Sequence, residues 1–217
     1  MSETVMALGP EWADPMVLLS GSGPFGDAIL AAMALIVFIE SGLLFPFLPG
    51  DSLLFTAGLL ARQPDPFAPL WLIMVVAPIA AFLGDQVGYM IGHKLNPYLE
   101  QRPDGKIFKR EYVTQTEDFF DKHGPITVIL CRFVPIVRTY APLVAGMAGM
   151  HYRTFVAYNA IGAVLWGAGV VGLGALLGEI DFVKNNIEAI FLVIVLASVV
   201  PALYGVILKW FKKEKKA

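Results

Sequence analysis

The sequence predicts an all-α integral membrane protein in which two re-entrant helical hairpins face each other as an inverted repeat. About three spanning helices and a cytoplasmic amphipathic helix accompany them. The 217 residues are 57% hydrophobic and only 16% charged, whereas soluble domains carry about 25% charged residues. Two apolar stretches are interrupted by prolines, and the basic residues are confined to a few segments. Both features are typical of a chain that enters the bilayer several times.

The first half begins with a glycine- and proline-containing lead-in over 1–24, followed by a predicted hairpin over 25–61. The tip of this hairpin is the segment 45–51, where Pro49 and Gly50 follow another proline and interrupt helical structure. The apolar leg after the tip has about ten residues, which is too short to span a bilayer. That length suits the return leg of a re-entrant hairpin.

A spanning helix is predicted over 70–92 from its continuous hydrophobicity. Gly84, Gly88 and Gly92 recur every four residues and form a smooth face that permits close helix packing in lipid. In the polar segment that follows, aromatic residues lie among charges over 106–123. This pattern predicts an amphipathic helix on the cytoplasmic membrane surface.

The second hairpin is predicted over 125–150. Arg132 and Arg138 lie in this otherwise apolar stretch without a local acid. Pro135 and Pro142 each remove a backbone donor, so the helix is expected to break near Pro135 to Pro142 and turn back. Broken backbone at membrane depth survives only where protein or a water-filled cavity surrounds it. Arginine there costs about 2.5–3.5 kcal/mol on insertion scales, so the pair predicts a functional site.

A further span is predicted over 155–177, and a last span with a basic tail over 179–217. The elements therefore run hairpin, span, cytoplasmic helix, hairpin, span, span. One hairpin would open outward and the other inward. Many transporters use such an inverted repeat to alternate access to a site at the bilayer midplane.

The basic residues predict the orientation. No Lys or Arg precedes Arg62, six fall from Lys94 to Lys122, and five fall from Lys209 to Lys216. Positive loops stay in the cytoplasm, so the middle segment and the C-terminus are expected there, with the N-terminus outside. No basic region precedes the first apolar stretch, so no cleaved signal peptide is expected. The basic clusters flank membrane segments and indicate orientation rather than nucleic-acid binding.

The sequence does not indicate an enzyme. It contains no Gly-x-Ser-x-Gly, P-loop or His-Glu-x-x-His motif. His93, His123 and His151 lie far apart, without acids or cysteines at metal-ligand spacing. This argues against zinc and against a lipid-phosphate phosphatase. The single cysteine, Cys131, cannot form an internal disulfide. Neither a cofactor nor a metal is predicted, and the oligomeric state is left open.

Five ionisable residues lie at predicted membrane depth: Glu40, Asp51, Asp85, Arg132 and Arg138. Pairing lowers the cost of a buried charge, so the two hairpin tips are expected to meet with acids opposite arginines. Such a cluster is either a set of ion pairs that fixes the hairpins or the wall of a polar cavity. In a cavity, two guanidinium groups suit a phosphate. One carboxylate is in excess and could carry a proton.

Two polar residues of the predicted spans have their own interpretations. Asp85 either hydrogen-bonds locally to Tyr89 or takes part in transport. Asn159 is expected to hydrogen-bond the backbone of a broken hairpin. Both side chains are predicted to support the site, and the two alternatives for Asp85 stay open.

Together, these motifs resemble the DedA family of membrane proteins, also called the VTT or SNARE-associated group. The resemblance covers about Phe25 to Gly178. Its motifs are Glu40-Ser41-Gly42 with Pro46 and Pro49-Gly50-Asp51; Gly84-Asp85 with Tyr89 and Gly92; Arg132-Phe133-x-Pro135-x-x-Arg138-Thr139-x-x-Pro142; Ala145-Gly146 with Met150; and Asn159, Gly162 and Trp166. The residues predicted to support the site are Asp85, Pro49, Gly50, Pro135, Thr139 and Asn159.

The resemblance implies facing hairpins and lipid transport. Bacterial members are expected to return undecaprenyl phosphate from the outer to the inner leaflet of the cytoplasmic membrane, and eukaryotic relatives to scramble phospholipids. The family's essential residues correspond to Glu40, Asp51, Arg132 and Arg138. The arginines would bind the phosphate, and the acids would pair with them or carry protons. A general phospholipid scramblase and a proton-linked ion antiporter stay open as alternatives.

Overall fold

The computed structural model describes residues 18–19, 28–43, 50–100, 124–177 and 180. This part of the chain contains six helices and no strand. The helices are α1 (Ile29–Gly42), α2 (Gly50–Leu60), α3 (Leu70–Glu100), α4 (Ile126–Cys131), α5 (Pro135–Met147) and α6 (Tyr152–Leu177). The predicted all-helical class is therefore confirmed for the described residues.

The first predicted hairpin contains two short helices. Helix α1 has 14 residues and α2 has 11, both fewer than the roughly 20 needed to cross a bilayer. Helix α2 begins at Gly50, at the end of the proline-containing segment. Most of the predicted tip, including Pro49, lies outside the described residues.

Helix α3 is longer than the predicted span over 70–92, since it continues to Glu100. The predicted span ends at residue 92 because the hydrophobicity of the sequence falls there. The residues beyond include Lys94, Leu95 and Glu100, which are good helix formers, so the helix continues although the apolar stretch ends. By length and composition, Leu70–Asn96 is long enough to cross a membrane. The predicted cytoplasmic helix over 106–123 lies outside the described residues.

In the second predicted hairpin, the break is shorter than expected. Helix α4 ends at Cys131, and α5 begins at Pro135 after an extended Val134 with φ −112° and ψ 107°. A residue before proline disfavours the helical region, and proline is well accommodated at the first helical position. Pro142, which was expected to prolong the break, lies inside α5. The break is therefore confined to the turn over 132–134.

Helix α6 begins at Tyr152, slightly before the predicted span over 155–177. Gly149, with φ +66°, makes the turn between α5 and α6 in a conformation that favours glycine. The predicted last span and basic tail lie outside the described residues, apart from Ile180. Most of the lead-in over 1–24 does so as well.

The two long helices keep apolar faces free for lipid. The most hydrophobic windows of α3 and α6 are 44% and 39% buried inside the protein, respectively. A core helix of a soluble protein would be buried over most of its surface. The exposed positions of α3 include Trp71, Val75, Ile79 and Leu83, which recur every four residues and form one stripe. Such stripes are typical of helices whose outer face meets the bilayer.

The packing of the two halves is reciprocal, because α3 packs against α5 and α6 packs against α2. Both helix pairs come together at glycines, where an added Cβ would collide with a backbone carbonyl of the partner. In each pair, the carbonyl that the added Cβ would meet belongs to the residue three positions before the glycine of the partner helix. These glycines are Gly92 and Gly146 in α3 and α5, and Gly58 and Gly174 in α2 and α6. The second helix of each predicted hairpin thus packs against the long helix that follows the other predicted hairpin.

Candidate functional site

The beginning of α5 meets the end of α1 and the beginning of α2. The guanidinium of Arg138, in the first turn of α5, forms ion pairs with Glu40 and Asp51. Its Nη2 donates to Oε1 of Glu40, and its Nη1 donates to Oδ1 of Asp51. The predicted meeting of acids from one hairpin with an arginine from the other is therefore present in the structure.

The second arginine has different partners. Arg132, at the break between α4 and α5, forms an ion pair with Asp85 of α3. Its Nη2 also donates to Oδ1 of Asn159 in α6, at 2.8 Å. The side chain approaches α6 at Gly162, where an added Cβ would lie 3.0 Å from the arginine Cδ. Arg132 thus connects the break to both long helices.

Two expectations about these partners are corrected. Asp85 does not bond to Tyr89, because the Tyr89 hydroxyl instead donates to the carbonyl of Met150. The amide nitrogen of Asn159 lies 3.5 Å from the carbonyl of Phe82, which belongs to the continuous helix α3 and not to a broken hairpin. Both polar side chains therefore serve the contact between Arg132 and the long helices.

Trp166 of α6 contacts the charged cluster, although no role was predicted for it from the sequence. Its Nε1 donates to Oδ1 of Asp51 at 3.0 Å. The guanidinium carbon of Arg138 lies over the indole at 4.6 Å from the ring centroid, and that of Arg132 lies at 5.9 Å. A signal existed in the sequence, because a tryptophan among membrane residues needs a partner for its N–H.

The predicted supporting residues fall into different positions. Gly50 lies against the Glu40 carboxylate, and an added Cβ would overlap its Oε2. Glycine at the start of α2 thus admits the acid from α1. Thr139 is buried next to Arg138 in α5. Pro135 begins α5, and Pro49 lies outside the described residues.

The family of the chain follows from comparison with known proteins. The model of the VTT domain matches residues 48–176, which is more than half of the chain. The chain belongs to the VTT-domain (DedA) family. The matched region contains Asp51, Asp85, Arg132 and Arg138, whereas Glu40 precedes it.

Relatives in the DedA family are similar over most of this chain. An uncharacterized membrane protein of Mycobacterium tuberculosis is 46% identical over 203 residues, which cover 94% of this chain and 89% of its own. Protein DedA of Escherichia coli K12 is 45% identical over 184 residues, 84% of each chain. Inner membrane protein YghB of the same strain is 34% identical over 189 residues, 82% of each chain. No solved structure gives a significant match.

With the two long apolar helices, these relatives identify the chain as a DedA-family membrane protein. None of the three relatives' names denotes an enzyme. Within the described ranges, no group of three or more His, Cys, Asp or Glu residues is arranged to hold a metal ion. The carboxylates of the site instead face arginines.

The charged cluster of this DedA-family protein is buried but not sealed. The side chains of Arg132, Asp85 and Glu40 are 6%, 4% and 4% exposed, and that of Arg138 is 10% exposed. Asp51 is the most accessible member, with 23% of its side chain exposed. Asp51 therefore marks the edge at which a ligand or a proton would reach the cluster.

A cavity of about 490 Å³ lies elsewhere, at the end of α3 that follows the cluster. It is lined mainly by Tyr89, Met90, His93, Met150 and Tyr152. The ring of Tyr89 stacks on Phe155 with the centroids 4.5 Å apart. This cavity contains none of the predicted site residues and is separate from the ion pairs.

Proposed function

We propose that this DedA-family protein carries polyprenyl phosphate, in bacteria undecaprenyl phosphate, from the outer to the inner leaflet of the cytoplasmic membrane. The observation that supports this most strongly is the position of Arg138. It lies in the first turn of α5, directly after the helix break, and its guanidinium is held by a carboxylate from α1 and another from α2. A lipid phosphate could replace these carboxylates with oxygens of similar geometry and charge.

The chemistry of the arginines suits a phosphate monoester. A guanidinium presents its N–H groups as a planar fork that matches two oxygens of a carboxylate or phosphate. Arg138 already uses both Nη atoms to bind carboxylate oxygens. The Nε of Arg132 is buried without a hydrogen-bond partner among the described residues. We propose that a bound phosphate takes the place of Glu40 and Asp51 on Arg138 and reaches the free donor of Arg132.

The count of charges supports coupling to protons. Three carboxylates face two arginines, so the cluster has one negative charge in excess when all its members are ionised. A phosphate that displaces a carboxylate adds further negative charge in a region of low dielectric. Protonation of Glu40 or Asp51 would relieve that repulsion. Inward proton flow could then drive transport toward the cytoplasm.

The fold supports a path that opens sideways to lipid. Helices α1 and α2 are too short to span, and the return leg of each hairpin packs against the long helix of the other half. This reciprocal packing favours the inverted repeat of two re-entrant hairpins. The prenyl tail would remain in the bilayer while the phosphate crosses between the hairpin tips. We propose that the C-terminus lies in the cytoplasm and the N-terminus outside, because the basic residues are concentrated in the middle segment and the tail.

The deciding experiment measures transport in proteoliposomes. Fluorescently labelled polyprenyl phosphate and a labelled phospholipid are followed separately, with labelled polyprenol as a control that lacks the phosphate. We expect the protein to move polyprenyl phosphate, faster with an inward proton gradient, and not polyprenol. Equal rates for the phospholipid would make the protein a general scramblase. Proton-driven cation movement without any lipid transport would favour the ion antiporter.

A further inference from the structure

Trp166 touches both members of the ion pair at the edge of the cluster. Its N–H donates to Asp51, and its ring face receives Arg138. The residue is only 4% exposed. It comes from α6, whereas Asp51 and Arg138 come from the two hairpins. One side chain therefore contacts both hairpins from a long helix.

We propose that Trp166 is the positioning residue that keeps the site assembled while a lipid phosphate replaces the carboxylates, an inference that rests on the proposed function. When phosphate binds, Arg138 loses its two carboxylate partners, and Asp51 loses its arginine. The ring face of Trp166 holds the guanidinium in place during this exchange. The indole N–H remains as a partner for the displaced Asp51.

The two contacts require an indole in particular. A cation is attracted to the face of an aromatic ring, and tryptophan has the strongest such face. Phenylalanine would keep a ring but offers no donor to Asp51. Leucine would keep much of the apolar volume but neither contact. The two parts of the proposed role can therefore be separated by Trp166→Phe and Trp166→Leu.

The α6 backbone packs closely against neighbouring residues on both sides of Trp166. The next residue, Gly167, lies against Pro78 of α3, where an added Cβ would lie 3.0 Å from the proline nitrogen. One turn earlier, Gly162 lies against the side chain of Arg132. These close approaches restrain the α6 backbone on either side of Trp166, and the indole is itself buried, so it has little room to move away from the arginines.

The expected effects concern affinity more than maximal rate. Loss of one hydrogen bond to a charged group in Trp166→Phe should raise the half-saturating concentration of polyprenyl phosphate roughly tenfold. Loss of the ring face in Trp166→Leu should raise it by roughly a further tenfold. A purely structural role would lower the amount of active protein, and hence the maximal rate, at an unchanged half-saturating concentration. Trp71→Phe is the matched control, because Trp71 is 66% exposed on α3.

A fluorescence measurement tests the same proposal with Trp166 intact. The chain has four tryptophans, so replacing Trp12, Trp71 and Trp210 by phenylalanine leaves Trp166 as the reporter. Purified protein is titrated with undecaprenyl phosphate and, as control, with undecaprenol. We expect the emission to change with the phosphate and to stay constant with the alcohol, because only the phosphate displaces the charges that touch the indole.

The outcomes separate the two proposals. Absence of saturable binding of undecaprenyl phosphate to the wild-type protein would overturn the proposed function. Saturable binding with constant Trp166 emission would overturn the positioning role alone. An unchanged half-saturating concentration of polyprenyl phosphate in both folded Trp166 variants would also overturn the positioning role. A graded loss of affinity from wild type to Trp166→Phe to Trp166→Leu, together with a phosphate-dependent emission change, supports it.

Discussion

Arg132 and Arg138 are six residues apart in the chain, yet their ion-pair partners differ in position and in exposure. Arg132 is tied to Asp85 of α3 and Asn159 of α6, all three of them buried. Arg138 is tied to acids of the first hairpin, and one of these, Asp51, is partly exposed. The Arg132 group joins the break of the second hairpin to the long helices. The Arg138 group joins the two hairpins to each other.

This difference indicates how one cluster can be both stable and exchangeable. A buried ion pair whose partners are fixed by packed helices resists ligand exchange, because removing one partner leaves a charge without solvation. In the proposed exchange, an ion pair at an accessible edge trades a carboxylate for a phosphate, and protonation of the displaced carboxylate offsets the added negative charge. We therefore expect variants of the Arg132 group to alter stability first, and variants of the Arg138 group to alter transport first.

The largest expected effect is the loss of transport in the variant Arg138→Lys. An ammonium keeps the positive charge beside the two carboxylates, but it cannot make the planar two-point contact with phosphate. Transport in proteoliposomes should fall by roughly 100-fold or more at normal expression. The double variant Arg138→Ala with Asp51→Ala would leave Glu40 without its arginine, so Glu40→Gln is added to it. This triple variant removes all three charges, so it should be more stable than Arg138→Ala without regaining transport. Restored transport in the triple variant would mean that the ion pairs are only a scaffold.

A comparably large effect, on stability, is expected for Arg132→Met. This change leaves Asp85 buried without its arginine, which should lower the free energy of unfolding by about 3–5 kcal/mol. Thermal unfolding in detergent would measure it. Adding Asp85→Leu should restore most of the stability, whereas transport should stay low because the second guanidinium is missing. Full transport by this double variant would assign the phosphate to Arg138 alone.

Intermediate effects are expected for Glu40→Gln and Asp51→Asn. Each keeps the shape of the side chain and removes the charge, so the protein should fold. Each also weakens a hydrogen bond to a charged group, worth about 1.5–3 kcal/mol. We expect slower transport with a flatter pH dependence, and a larger change in pH dependence for the more exposed Asp51. A native rate with a native pH profile in either variant would exclude that carboxylate as the proton carrier.

The smallest effect is expected for Asn159→Ala. This change removes one acceptor from Arg132 but leaves its ion pair with Asp85, so the stability loss should be about 1–3 kcal/mol. Gln86→Ala is a suitable control, because its amide, like that of Asn159, donates to the carbonyl of Phe82, at 3.4 Å, and it makes no hydrogen bond to Arg132 among the described residues. Thermal unfolding of both variants gives the comparison. Equal losses would show that Asn159 contributes nothing specific to the Arg132 group.

Local signals in the sequence determined the class of this protein and the two segments that hold four of the five clustered charges. Hydrophobicity identified the two long helices α3 and α6, and a proline between Arg132 and Arg138 identified the break between α4 and α5. These properties belong to neighbouring residues and do not depend on the rest of the fold. Even so, the breaks were only approximate, since Pro142 is accommodated inside α5.

The partner of each charge was decided only by the tertiary structure. Three acids and two arginines allow several neutralising pairings of similar electrostatic energy, so charge alone cannot choose among them. The choice depends on how closely the helices approach one another. The glycines at the contacts of α3 with α5 and of α2 with α6 permit this close approach. That packing brings Asp85 and Asn159 to Arg132, and places Trp166 against Arg138 and Asp51. These contacts join residues far apart in the chain, and no local pattern records them.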